Sequence, residues 1–249
     1  MKSKGHISHA WLSALLLCLA GRCSFAAPFE VSSPRVADHA GIEATAQWTH
    51  RPSKQTWELP KLELATPLGD DIEVKLSDQY RRVDTDGRPS VDGLGDAELE
   101  VKWAFARQHH DTGFDMAIEP ALQLPSGDRS DGLGAGATQL ALPLLIGRTF
   151  GRLELETEIA YTHVFGTDSD ALGGGLLGLW KTTARLKLGL ELYARAPARH
   201  FSGTELDGNA GFKWAPLRHW ELKGLIGRTL RNAADDPRTR VKLVTQYTF

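Results

Sequence analysis

Cysteine is almost absent from this 249-residue sequence, which contains only Cys18 and Cys23. Both lie within the first 26 residues, so removal of that stretch would leave a chain without a thiol. Such a chain can form no disulfide and no cysteine-ligated metal site. A lipoprotein anchor at Cys23 is an alternative use of that thiol. Arg22 argues against it, because a small residue is required next to the modified cysteine.

Long apolar runs are also missing. After residue 28 no run approaches the ~20 residues that a membrane helix requires. The one apolar stretch, residues 10–20, follows Lys2 and Lys4 and precedes small residues at 24–26. This order is typical of a signal peptide, so residues 1–26 are predicted to be removed during secretion.

An excess of positive charge is missing as well. Removing residues 1–26 takes away three basic residues and no acid, which leaves 26 Lys and Arg against 31 Asp and Glu. The remaining chain is acidic and has no basic tail or patch. Nucleic acid is therefore not expected as a partner.

What the chain does have is a two-residue alternation of apolar and polar side chains that recurs along its length. In one segment Leu99 and Val101 alternate with Glu100 and Lys102. This period is typical of strands with one apolar and one polar face. About twelve segments show the pattern, at residues 42–48, 56–66, 72–77, 98–105, 114–124, 138–146, 153–161, 172–180, 185–192, 206–214, 220–226 and 240–249.

The connections between these segments alternate in length. Short links fall at residues 67–71, 107–113, 148–152, 180–183 and 215–218, and longer polar links at 82–95, 125–136, 194–205 and 230–239, with 166–171 shorter but still polar. Transmembrane barrels have short periplasmic turns and longer outer loops, whereas a soluble β-sandwich follows no such rule.

The pattern as a whole therefore predicts an all-β fold, a single antiparallel up-and-down transmembrane β-barrel over residues 41–249. An even number of strands, about twelve, places both barrel ends of the chain on the periplasmic side. The predicted location is the outer membrane of a Gram-negative bacterium. Residues 27–40 are expected to form a periplasmic N-terminal segment.

The last strand ends the chain on Tyr247 and Phe249. It resembles the closing strand of bacterial outer-membrane barrels, in which the terminal aromatic is part of the signal read by the insertion machinery. The resemblance implies that these two residues form an assembly signal, with the barrel-assembly machinery and outer-membrane lipids as partners. Aromatic residues near other strand ends, such as Trp48, Trp180 and Trp220, fit an interfacial girdle.

Three further segments carry a family resemblance. Residues 93–96 read Gly-Leu-Gly-Asp and lead into an alternating strand, and residues 124–128 read Leu-Pro-Ser-Gly-Asp. Residues 132–140 are rich in glycine and lead into the next strand, which runs on to a turn at 148–151. These segments are similar to outer-membrane transporters of the family named for the meta-pathway of phenol degradation. The resemblance implies a barrel that takes up small, often aromatic or apolar compounds.

The polar face of each predicted strand carries the charged residues. A midplane Lys or Arg facing lipid costs about 2–4 kcal/mol, so this face is expected to line the lumen. The lumen-lining candidates are Glu98, Glu100, Lys102, Glu119, Glu154, Glu156, Glu158, Arg185, Lys187, Glu191, Arg240 and Lys242. Acids then dominate the fourth and seventh strands, and bases the ninth and twelfth.

Such a charged lumen predicts a channel or transporter for a small-molecule, organic solute, and the family resemblance implies aromatic compounds among such solutes. The alternative is a plugged, structural barrel, because in a barrel of this size side chains can fill much of the interior. The glycines at 173–175 and 178 are expected to relieve strand curvature.

An outer-membrane lipid hydrolase is the other alternative. His200 and Ser202 weakly resemble the His-x-Ser motif of outer-membrane phospholipase A. Gly203 stands where that motif has an Asn, and Asn209 has the strand parity opposite to Ser202. Nucleophilic catalysis needs an orienting third group, so no catalytic residue is assigned and the chain is not expected to be an enzyme.

Metals and cofactors are not expected either. His109 and His110 have no evident third ligand, and zinc requires at least three protein ligands. The acid pairs Asp84/Asp86, Asp168/Asp170 and Asp235/Asp236 supply too few oxygens for calcium. Residues 132–136 precede a strand rather than a helix, so their glycines do not form a nucleotide site.

Overall fold

A computed structural model describes residues 28–108, 113–199, 201–232 and 236–249 of the chain. The described residues form one short 3-10 turn, Phe201–Gly203, and fourteen strands: β1 Gly41–Arg51, β2 Lys54–Pro67, β3 Ile72–Thr85, β4 Val91–Leu94, β5 Ala97–Ala106, β6 Asp115–Ile118, β7 Ala121–Leu124, β8 Gln139–Phe150, β9 Leu153–Val164, β10 Ala171–Lys181, β11 Leu186–Pro197, β12 Glu205–Leu217, β13 Trp220–Arg231 and β14 Thr239–Thr248. The predicted signal peptide, residues 1–26, lies outside the described residues. No helix within them is long and apolar enough to cross a membrane, a finding that does not bear on strands.

The strands close into a barrel because the first pairs with the last. β1 and β14 are antiparallel neighbours over ten residue pairs that begin with Gly41 opposite Thr248. β6 and β7 are two halves of one strand, since both pair with β5 and β8 and only residues 119–120 separate them. β4 and β5 are likewise two parts of one strand, since both pair with β3 and only residues 95–96 separate them. The predicted all-β, up-and-down antiparallel barrel is confirmed, with 12 strands.

The two ends of the barrel differ. The start of β1 and the terminal Phe249 lie at one end, the turn end, together with the links 68–71, 107–114, 151–152, 182–185 and 218–219. The opposite end, the loop end, carries the links 52–53, 86–90, 125–138, 165–170, 198–204 and 232–238. The alternation of link lengths is clearest at 125–138, the longest link. The two-residue link 52–53 departs from it, and 107–114 is longer than the loop-end links other than 125–138.

The outer face of the barrel is apolar and the inner face is charged. Leu64, Ile159 and Leu190 on the outer face are each more than half exposed, whereas their inward neighbours Glu63 and Glu158 are buried. Successive side chains of a strand point to opposite faces, so a slip of one residue would turn the charges towards lipid. At about 2–4 kcal/mol for each midplane Lys or Arg, the charge pattern specifies the register strongly.

Aromatic side chains gather at both ends of the outer face. At the turn end the rings of Trp220 and Tyr247 lie 5.1 Å apart between centroids. At the loop end the rings of Trp48 and Trp57 lie 5.9 Å apart. Amphipathic rings at these two levels form the girdles that membrane barrels place at the lipid headgroups.

The N-terminal segment does not lie where the sequence places it. Residues 27–40 are expected in the periplasm, but residues 28–40 run inside the barrel, where Val31 is 0% exposed. The physical reason is that main-chain N–H groups of this stretch donate to carboxylates of the inner wall, for example Ala37 to Glu73 at 2.7 Å. Side-chain periodicity cannot reveal bonds made by the main chain. We call residues 28–40 the inner segment.

Deleting Phe249 is expected to leave the chain unassembled. The Phe249 ring is 60% exposed and packs edge-on against Tyr247 at 5.6 Å, so its loss removes little packing from the finished barrel. A strong effect would therefore report recognition during insertion rather than lost stability. The measurement is the heat-modifiable gel shift of outer-membrane fractions.

Phe150→Ala is the matched control for that deletion. Phe150 also lies at the turn end and is 51% exposed, but it is far from the chain terminus. We expect this variant to assemble normally. Normal assembly of the chain without Phe249 would contradict its role as an assembly signal.

Candidate functional site

Most of the predicted lumen-lining residues face the barrel interior. Buried there are Lys102, Glu119, Glu154, Glu156, Glu158, Glu191 and Arg240, while Glu98, Glu100, Lys187 and Lys242 are partly exposed. Arg185 differs, because it lies in the exposed 182–185 turn and donates to the main-chain oxygen of Pro216. In the sequence Arg185 continues the alternating pattern of the following strand, but in the structure β11 begins one residue later, at Leu186. The role of this set in a solute path stays a prediction.

A group of buried ion pairs, the lysine cluster, fills the interior beside β3, β5 and the β6–β7 strand. Lys75 Nζ lies 2.6 Å from Glu119 Oε1 and 3.0 Å from Glu100 Oε2. Lys102 Nζ lies 3.2 Å from the same Glu119 oxygen, and Glu73 borders both lysines at 3.8 and 3.9 Å. Lys75 and Lys102 are only 1% and 2% exposed. The interior is therefore packed with side chains at this level.

Acids and bases elsewhere on the inner face are paired rather than separated into opposed walls. Lys187 Nζ contacts both carboxylate oxygens of Glu154 at 2.9 Å. Lys223 Nζ lies 2.8 Å from Glu43 Oε2. The two-residue period identifies the face on which a charge lies but not its partner on another strand. Separate acidic and basic walls, as expected from the sequence, do not describe these pairs.

Three of the predicted lumen glutamates bind the inner segment instead. The hydrogen bonds run from Val31 N–H to Glu191 Oε1 (2.7 Å), from Ser32 N–H to Glu158 Oε2 (3.0 Å) and from the Ser33 hydroxyl to Glu156 Oε1 (2.8 Å). Hydrogen bonds to an ionised acceptor are roughly twice as strong as neutral ones. The segment thus satisfies carboxylates that would otherwise need water or a cation.

Arg35 anchors the segment close to the turn end. Its Nε lies 2.9 Å from Asp115 Oδ2, and its Nη2 donates to Thr149 Oγ1 at 2.8 Å. Glu154 approaches Nη1 at 3.8 Å. These contacts join the segment to β6, β8 and β9. The segment is therefore anchored at both the turn end and the middle of the barrel.

Glycines of the inner wall provide the space that the segment occupies. A Cβ on Gly147 would lie 2.8 Å from Cγ of Pro34. A Cβ on Gly175 would lie 2.8 Å from Cγ2 of Val31. Real side chains do not make contacts this short, so larger residues at these positions would displace the segment. Gly175 is one of the glycines expected to relieve curvature, and its observed role is close packing.

The ring of Phe29 fills a further space in the wall, which we call the ring pocket. A Cβ on Gly189 would overlap the ring, and one on Gly211 would lie 2.9 Å from its Cζ. Leu179 and Leu225 belong to the same buried apolar cluster, and Phe29 is only 4% exposed. The ring pocket is an apolar site within an otherwise charged lumen.

Glu30, the next residue of the segment, lies among arginines near the loop end. Its carboxylate forms ion pairs with Arg195 on β11 and Arg240 on β14. Asp207 also accepts from both guanidinium groups, at 3.2 and 3.4 Å. Arg238 pairs with the same Asp207 carboxylate. We call these residues the arginine cluster. The sequence alternation singled out only Arg240 among them.

The three segments that carry the family resemblance meet at the loop end. Asp96, the last residue of Gly-Leu-Gly-Asp, accepts the N–H of Gly127 at 2.9 Å and that of Ala135 at 2.7 Å. Those residues belong to the second and third segments. Arg81 on the inner face of β3 donates to the Leu133 oxygen at 3.0 Å. The 125–138 loop therefore folds over the barrel mouth, and Asp96 holds its two ends together.

Of the residues considered for lipid hydrolysis, the structure describes the side chain of Asn209. Asn209 lies on the inner face, where its side-chain amide donates to Glu191 Oε2 at 2.5 Å. That position points away from the lipid substrate. His200 lies outside the described residues, and the Ser202 side chain is not described.

The residues considered for metals are described only in part. His109, His110 and Asp235 lie outside the described residues. Within the parts that the structure describes, no three His, Cys, Asp or Glu side chains are grouped so as to hold a metal ion. Asp170 accepts the Tyr161 hydroxyl at 2.6 Å, and this hydrogen bond lowers the pKa of the carboxyl. It therefore acts as a loop anchor.

Comparison with known proteins identifies the fold. No protein-family model and no curated protein matches the chain. Among solved structures, the porin NanC matches with a TM-score of 0.60 and 6% identity, covering 84% of this chain and 100% of NanC. The KdgM porin in complex with disordered oligogalacturonate gives 0.57 and 9%, covering 83% and 99%. The translocator domain of the autotransporter NalP from Neisseria meningitidis gives 0.53 and 10%, covering 84% and 88%.

At identities this low the likeness shows the fold alone, because one fold can serve many functions. The chain has the fold of an outer-membrane β-barrel. Its function has to be argued from its own interior.

Proposed function

We propose that the chain forms a channel for small organic solutes in the outer membrane of a Gram-negative bacterium, and that the inner segment closes this channel. The apolar outer face and the two aromatic girdles support the location. The charged inner face supports passage of polar or dipolar solutes. The resemblance to the phenol meta-pathway family supports aromatic compounds among them. Residues 1–26 would be the signal peptide, residues 28–40 the closing segment and residues 41–249 the barrel.

The observation that carries this proposal is that the inner segment is separate from the barrel wall. Glu156, Glu158 and Glu191 hold it by hydrogen bonds, and the wall glycines give it space. Within the described chain, none of its residues belongs to a strand, and at its end Ala40 accepts the Phe249 N–H at 2.9 Å. Its withdrawal would break none of the inter-strand bonds, and it would leave a groove along β8 to β12 with three carboxylates facing it.

A plugged barrel with a structural role is the second candidate. The lysine cluster and the Lys223–Glu43 pair favour it, because their lysines are buried and pair with carboxylates of the barrel wall. The inner segment touches the lysine cluster through the bond from Ala37 N–H to Glu73. The ion pairs would stay in place after the segment withdrew. Any solute path is therefore confined to the side of the barrel formed by β8 to β12, with the arginine cluster at its loop end. If the barrel is plugged in this way, displacing the inner segment should not raise its conductance.

The Gly147→Ala/Gly189→Ala double variant is expected to raise the conductance of the purified protein in planar bilayers. The new methyl groups would crowd Pro34 and Phe29 and so destabilise the closed state. A loss of about 1.4 kcal/mol from the closed state would raise the open fraction about tenfold. Single-channel recording measures the open fraction and the step size.

Gly178→Ala is the matched control for this double variant. A Cβ at Gly178 would meet only Leu155, at an ordinary 3.7 Å. The control should conduct like the wild type. If the double variant stays as silent as the control, the channel proposal fails and the plugged barrel is favoured.

Replacing Glu154, Glu156 and Glu158 by Gln in the Gly147→Ala/Gly189→Ala background is expected to shift ion selectivity towards anions. The three carboxylates line the groove that the segment would vacate, so neutralising them removes the field that attracts cations. The reversal potential across a salt gradient measures the shift. Asp86→Asn/Asp131→Asn/Asp168→Asn, an equal charge change in outer loops, should shift it less. If the Asp→Asn control shifted the reversal potential as much as the Glu→Gln variant does, a solute path along β9 would be contradicted.

A further inference from the structure

The inner segment places an aromatic ring and a carboxylate next to each other in the barrel interior. Phe29 fills the ring pocket, which the glycines of β11 and β12 leave open. Glu30, the adjacent residue, reaches the arginine cluster at the loop-end side of that pocket. The two residues together occupy one site with an apolar part and a cationic part.

The cationic part depends on Glu30 for its charge balance. Within the described chain, four arginines and four carboxylates are linked here by ion pairs: Arg51, Arg195, Arg238, Arg240, Glu30, Glu205, Asp207 and Asp236. Glu30 alone among these belongs to the inner segment. When it withdraws, four guanidinium groups face three carboxylates. A buried charge without a partner is unfavourable, so the vacated site would favour another anion.

The arginines also have hydrogen-bonding capacity to spare. The buried Nε atoms of Arg238 and Arg240 have no acceptor among the described residues. Guanidinium groups bind carboxylates through paired, parallel hydrogen bonds. The Glu30 carboxylate is fixed in position by the main chain of the inner segment and leaves these Nε donors unused. The carboxylate of a free solute has no such restriction and would be able to accept from them.

We propose that Phe29 and Glu30 are an internal ligand in a binding site for a small aromatic carboxylate, and that such a solute opens the barrel by competing with them. This inference rests on the proposed channel function and names the chemical class of its solute. The ring of the solute enters the ring pocket. Its carboxylate takes the place of the Glu30 carboxylate between Arg195 and Arg240.

Both parts of the site contribute to selection. A neutral aromatic compound would fill the ring pocket but leave the arginine cluster with its excess positive charge. A small aliphatic acid would balance that charge but leave the pocket unfilled. Only a compound with both an aromatic ring and a carboxylate fills the ring pocket and balances the charge of the arginine cluster after Phe29 and Glu30 withdraw.

Titration calorimetry of phenylacetate into the detergent-solubilised protein tests the site separately from transport. In the wild type the internal ligand competes, so the apparent affinity is reduced by the fraction of sites that it occupies. The Phe29→Ala/Glu30→Gln variant weakens the competitor, and its dissociation constant for phenylacetate should be at least about tenfold lower. Adding Arg195→Gln should abolish this gain.

Three controls accompany the titration. Arg199→Gln removes an exposed loop-end arginine paired with Asp168 and should leave binding unchanged. 2-Phenylethanol carries the same ring without the carboxylate and should bind the Phe29→Ala/Glu30→Gln variant more weakly than phenylacetate does. A heat-modifiable gel shift shows that each variant is folded. If Arg195→Gln does not fold, Arg195→Lys keeps the charge without the paired geometry and should weaken binding.

The outcomes separate this inference from the proposed function. Equal affinity of the wild type and the Phe29→Ala/Glu30→Gln variant for phenylacetate would overturn the inference, and so would equal affinity of that variant for phenylacetate and 2-phenylethanol. A variant that binds phenylacetate tightly but stays silent in bilayers would contradict the channel and support the site. A conducting variant that does not bind phenylacetate would support the channel and contradict the site.

Discussion

The antiparallel pairing of β1 with β14 is the contact on which the rest of the structure depends. It closes the sheet, so no strand edge presents unpaired N–H and C=O groups to lipid. Closure also creates an interior. Charged side chains point into this interior because facing lipid would cost free energy. The lysine cluster, the arginine cluster and the bonds to the inner segment all follow, because the charged face encloses a space that must be filled.

Alternation along the strands was sufficient to predict the barrel, its strand number and the face of most charged residues. It was not sufficient to predict their partners. Lys187 on β11 reaches Glu154 on β9 across an intervening strand, which depends on register and on the inward reach of both side chains. Arg185 shows a second limit, because the pattern continues past the point where strand pairing ends.

The position of residues 28–40 could not be predicted, because the signal is divided between distant parts of the chain. The segment has no two-residue period, and three of its bonds to the wall are made by main-chain N–H groups, which the sequence does not mark. The complementary signal is a set of glycines at inward positions, among them Gly147 and Gly189. A glycine inside a strand often marks the close approach of another chain segment. Only the closed barrel shows which segment approaches.

The central claim, that the inner segment is a removable closure of the lumen, is tested most directly by thiol accessibility. Ser33, which binds Glu156 inside the barrel, is replaced by Cys in a chain lacking Cys18 and Cys23. A membrane-impermeant thiol reagent should label this cysteine far more slowly than one at the exposed Ser90. Labelling should accelerate in the Gly147→Ala/Gly189→Ala background. Labelling of Ser33→Cys as fast as Ser90→Cys, without those substitutions, would contradict the account.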